Sequence, residues 1–137
     1  MSEPSSSPNV RRLVWSSMLF ATVLYATLGL TVFRAAAPSA VTGLPLLPIF
    51  AGASLVLAVA AVMLRGRLFD RVSGMSPSDP LRTPALMQAS IVPGALDEMI
   101  AVLGYVLAMV GRPPLQWLPF CAAGFALLML HAPRSDA

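Results

Sequence analysis

With 137 residues, 57% of them hydrophobic and 11% charged, and a mean hydropathy of +0.77, the chain is too apolar for an ordinary water-soluble domain. The net charge of +3 rests on nine arginines without a lysine, and these cluster at the ends of apolar runs, which excludes a nucleic-acid-binding face and points to membrane topology. A lone cysteine, Cys121, excludes an intrachain disulfide and a CxxC site and reads as a small packing residue.

Residues 1–12 open with a Ser- and Pro-rich stretch that has nothing to bury and reads as a disordered cytoplasmic tail. The apolar run at 13–33 is longer than the roughly 7 to 15 residues of a signal-peptide core, so it reads as a retained first span. Thr22 and Tyr25 share a face of it near mid-depth, and Trp15 suits an interfacial anchor. After a short connection holding Arg34 and Pro38, a second span at 45–64 starts with Pro45 and Pro48 in its first turns. Its middle is small and β-branched, as close helix packing in lipid favours.

Residues 65–83 read as a cytoplasmic loop with Arg65, Arg67, Arg71 and Arg82. Together with Arg11, Arg12 and Arg134 they set seven arginines on one side against Arg34 and Arg112 on the other. The positive-inside rule then puts both termini and this loop in the cytoplasm, which demands an even number of spans. The third span covers 84–110 and the fourth 114–131, joined by the turn Gly111-Arg112-Pro113-Pro114 into an antiparallel hairpin. Trp117 reads as an interfacial anchor, and His131, at the cytoplasmic end, as a partner of the helix dipole or of lipid headgroups. Residues 133–137 are left as a tail. The fold expected is all-α: one four-helix membrane bundle with both ends inside.

The third span carries the chemistry. Asp97 and Glu98 interrupt its apolar run near the middle, at a depth expected close to the bilayer midplane, where an ionised carboxylate is expensive. Pro93 removes a backbone donor and should kink the helix just before them, freeing the Ala89 carbonyl. Ser90, Gly94, Asp97, Ala101, Gly104 and Ala108 fall on one stripe, with Glu98 about 100° further round; the small residues among them suit a close neighbour helix. No cation is expected at that depth in another span, which leaves Thr22, Tyr25 and Ser54, water, a bound cation or another protein's arginine as partners. At least one carboxyl is therefore expected to be protonated at neutral pH, either to exchange a proton or as a permanently neutral packing group.

Ala95 and Leu96 before Glu98, Gly104 six residues after it, Gln88 ten before it and Ala101 between resemble the ion-binding helix of the proteolipid, or c subunit, family of rotary ATP synthases. The resemblance covers about 25 residues and implies that Glu98 is the ion-binding carboxylate, with proton, or less readily sodium, as the ion. The expected ion-binding set is Glu98 and Asp97, supported by Gln88, Ser90, Thr22 and Tyr25. Two other functions fit the residues: a membrane scaffold or assembly factor docking a basic partner helix on the acids, and a small proton-coupled exporter working as a dimer. No His/Asp/Glu set has metal spacing and no phosphate-cradling loop is present, so neither enzyme activity, metal nor cofactor is expected. The lipid bilayer, a homo-oligomer or a membrane complex are the partners expected, without nucleic acid, in a bacterial inner membrane.

Overall fold

The computed structural model describes residues 8–33 and 45–133. They form four helices, α1 (Pro8–Thr31), α2 (Leu46–Ser73), α3 (Arg82–Met109) and α4 (Pro114–Leu130). The first three are long and apolar enough to cross a membrane, and α4 is a shorter apolar helix of 17 residues. The connection at 34–44, with Arg34 and Pro38, and the tail from Arg134 lie outside the described residues.

Two boundaries differ from those expected. Residues 8–12 belong to α1 rather than to a tail, because Pro8 suits a first helical position, where its missing N–H would have no partner anyway. The stretch from Arg65 is not loop: α2 continues through Arg65, Arg67 and Arg71 to Ser73, leaving only residues 74–81 as the connection. Charge ends an apolar run, but arginine is a good helix former, and the extension is packed, with Val72 buried and the Arg65 guanidinium 5.4 Å above the Phe69 ring one turn on.

α3 is the central helix and packs against α1, α2 and α4, while α1 also lies along α4. Its hydrogen-bonded run continues on both sides of the buried Pro93, so it is a single helix. At its end Val110 caps the helix and Gly111 turns left-handed at φ 81°; the Gly111 and Arg112 N–H groups donate to the Ala108 and Leu107 carbonyls, both at 3.0 Å. This is a Schellman ending, and only glycine takes that φ without strain. The chain then reverses into α4, whose first residue is Pro114.

The α3/α4 contact is made by reciprocal glycines. A Cβ on Gly104 would sit 2.8 Å from the Trp117 carbonyl oxygen of α4, and one on Gly124 would sit 2.9 Å from the Asp97 carbonyl oxygen of α3. Gly94, Ala101 and Ala108 on the same side of α3 are buried as well. Trp117 is 1% exposed, so it is a core side chain and not the interfacial anchor expected of it. Its indole lies over Gly29 of α1, where a Cβ would be 2.6 Å from the ring. Trp15 is half-buried and donates from Nε1 to the Leu128 carbonyl at 2.8 Å, tying α1 to α4. The outer faces are apolar: Leu55 and Val56 of α2 are 67% and 68% exposed, a pattern suited to lipid contact.

Candidate functional site

Because α4 is short and starts at a tight turn, its last residue falls opposite the middle of α3, while α1, α2 and α3 continue past it. A helix Cβ tilts toward the helix N-terminus, so the Asp97 carboxyl leans along α3 toward the place where α4 stops. There His131, the C-cap of α4, meets it: His131 Nδ1 and Asp97 Oδ2 are hydrogen-bonded to each other. Asp97 is fully buried, and its other oxygen, Oδ1, has no hydrogen-bond partner. The His131 side chain keeps 11% of its surface exposed.

The space left beneath α4 is a vestibule of about 480 Å³, lined by Arg11 of α1, Arg65, Phe69 and Asp70 of α2, Ser90 of α3, and His131. The carbonyl end of α4 opens there with its negative dipole end, and Arg11 of α1 and Arg65 of α2 face the same space. Arg65 is near enough to add its attraction to Asp97. The order inward is vestibule, imidazole, carboxylate. The sequence predicts no partner for Asp97 from the other spans and places His131 at the helix dipole or the lipid headgroups; the structure instead brings the His131 ring onto the Asp97 carboxyl.

Glu98 stands about 100° round α3 from Asp97 and is half-buried. The Tyr25 hydroxyl of α1 lies near enough to interact with it electrostatically. Tyr25 also stacks at a tilt on Tyr105, 5.3 Å between centroids, and Phe33 meets Tyr105 edge-on at 5.7 Å, so that this carboxyl sits against an aromatic cluster. Tyr25→Phe removes that polar contact and is expected to cost up to about 1 kcal/mol of stability, the ceiling set by a typical hydrogen bond, with the helix content unchanged. Thermal unfolding in detergent measures it, and an unchanged midpoint would mean that the contact carries no weight.

The other expected supports do not join the acids. The buried Thr22 hydroxyl donates back to the Met18 carbonyl at 3.0 Å, and that of Ser90 to the Leu86 carbonyl at 3.0 Å. Ser90 does line the vestibule, whereas Gln88 is exposed on a separate groove with Leu68, Arg71 and Met75. Ser54 has a buried hydroxyl oxygen without a partner. Among the described residues no three His, Cys, Asp or Glu side chains gather as a metal site. No protein-family model, no curated protein and no solved structure matches the chain.

Proposed function

We propose that the chain is a four-span membrane protein that binds and exchanges a proton at Asp97 by way of His131. The observation that carries this is a fully buried carboxyl with one oxygen on an imidazole that itself lines the vestibule, and the other oxygen unpartnered among the described residues. An imidazole can take a proton on one side and pass one on at the other, and it titrates near physiological pH when unperturbed. Asp97 is the acceptor behind it.

The apolar band is set by α4, whose 17 residues span about 25 Å, close to a bilayer core of about 30 Å. This placement puts Asp97 near one edge of the core rather than at the midplane, with the vestibule at headgroup level. Arg67, Arg71 and Arg82 then lie beyond that edge, and the positive-inside rule makes it the cytoplasmic one. Glu98, implicated by the likeness to the proteolipid helix, is the second carboxyl of the same turn. Asp97 has no surface to offer a basic partner helix, so docking on the acids would fall to the half-buried Glu98.

Infrared difference spectroscopy in lipid nanodiscs tests the proposal. A carboxyl band that responds to pH, absent in Asp97→Asn and displaced in His131→Gln, is expected. A band lost instead in Glu98→Gln would move the site to the Tyr25 side, and no titrating band in any variant would leave both acids structural. One observation favours a second reading, a small proton-coupled exporter: an apolar groove of about 710 Å³ between α1 and α4, bordered by Thr22, Leu30, Leu118 and Phe125. That reading requires a lipophilic solute whose binding depends on Asp97.

A further inference from the structure

We propose that the vestibule beneath α4 binds the phosphate of an anionic phospholipid, held by the guanidinium groups of Arg11 and Arg65. The inference rests on the membrane location and not on proton exchange at Asp97. Arg11 comes from α1 and Arg65 from α2, and both line the same 480 Å³ space with His131 at its inner wall. A guanidinium offers five N–H donors in a fork that matches two phosphate oxygens. His131 is engaged with Asp97, and among the described residues the acid on the vestibule wall is Asp70, exposed on the outer part of α2.

The choice of a lipid over a free phosphate follows from the apolar wall. Val62 and Phe69 line the vestibule beside the arginines. Val62 is also 55% exposed, and Val59 and Leu55, at 50% and 67%, continue the same face of α2 at helical spacing. A headgroup seated between the arginines would therefore have an exposed apolar track of about 10 Å for its acyl chain, running from the vestibule along α2. Inorganic phosphate gains nothing from that track. A zwitterionic headgroup brings its own cation against Arg11 and Arg65.

The test is titration of the full chain in detergent, followed by native mass spectrometry, with dioctanoyl phosphatidylglycerol, dioctanoyl phosphatidylcholine and inorganic phosphate. Phosphatidylglycerol is expected to bind about tenfold more tightly than either of the others. Arg11→Gln and Arg65→Gln should each weaken it about tenfold, the worth of one charge-assisted contact. Asp70→Asn should tighten it severalfold, a gain that a misfolded protein cannot imitate if an arginine variant fails to fold. The exposed Arg12 and Arg67 lie outside the vestibule wall, so Arg12→Gln and Arg67→Gln should leave it unchanged. Equal binding of the two lipids, or equal loss in Arg12→Gln and Arg67→Gln, would overturn the site. Inorganic phosphate binding as tightly as the lipid would overturn the lipid source.

Discussion

Gly104→Ala and Gly124→Ala are each expected to destabilise the bundle, whereas Gly52→Ala stabilises it. Alanine in place of a helical glycine normally contributes up to about 1 kcal/mol through the unfolded chain and helix propensity. Gly52 on α2 receives that gain in full, because a Cβ there meets nothing within 4 Å. At Gly104 the same methyl would lie 2.8 Å from a backbone oxygen and from the Phe120 Cβ, and at Gly124 it would lie 2.9 Å from a backbone oxygen and 3.0 Å from the Ala101 nitrogen. Backbone on a packed helix cannot swing aside as a side-chain tip can, so α3 and α4 must separate. Overpacking of this kind costs about 1–3 kcal/mol. Urea or thermal unfolding in detergent reads the sign directly, and the valine variants should be worse than the alanine ones. A stabilised Gly104→Ala or Gly124→Ala would show that the two helices do not approach as closely as the geometry requires.

Separation of α3 from α4 also reaches the site. The Gly124 contact is with the backbone of Asp97, the residue whose side chain His131 must meet. A shift there should loosen the Asp97–His131 pair before the helices unfold. The small-residue stripe of α3 thus sets the position of the carboxylate, and the stripe was legible in the sequence because glycine and alanine recur at a period of one helical face.

Helix existence was legible for the same kind of reason: four long apolar runs bounded by arginine, proline and glycine leave little else for the chain to do. The ends were less so. Apolarity marks where a span stops but not where a helix stops, and the last turns of α2, from Arg65 to Ser73, carry charge while remaining helical. Trp117 was misplaced because an aromatic near a span end fits a lipid interface as well as a core; only the close approach of Gly29 distinguishes them, and that glycine is on another helix. The Asp97–His131 pair was hidden by depth. Counting along α3 puts Asp97 in the middle of its run, and counting along α4 puts His131 at an end. The two meet because the helices differ by eleven residues, 28 against 17, and share one turn. The signal was present in that length difference, which fixes where the shorter helix must stop along the longer one.

The pairing itself has a large expected energetic signature. Removing the imidazole in His131→Ala takes from Asp97 the partner of its Oδ2, and breaking a buried pair from one side costs about 3–5 kcal/mol if the remaining group stays charged and no vestibule water replaces the ring. Protonation of the carboxyl relieves part of that, to the roughly 1–3 kcal/mol of an unsatisfied buried polar group. Asp97→Ala is expected to be milder, since His131 is partly exposed and can turn toward the water of the vestibule. The double variant removes the orphaned group together with its partner, so it should be more stable than His131→Ala alone. A coupling energy of about 2–3 kcal/mol from the cycle is the expected result, measured by unfolding in detergent. Additive losses, with coupling under about 0.5 kcal/mol, would mean that the two side chains merely lie side by side. In that case the imidazole is no relay, and the proton reading of the site fails with it.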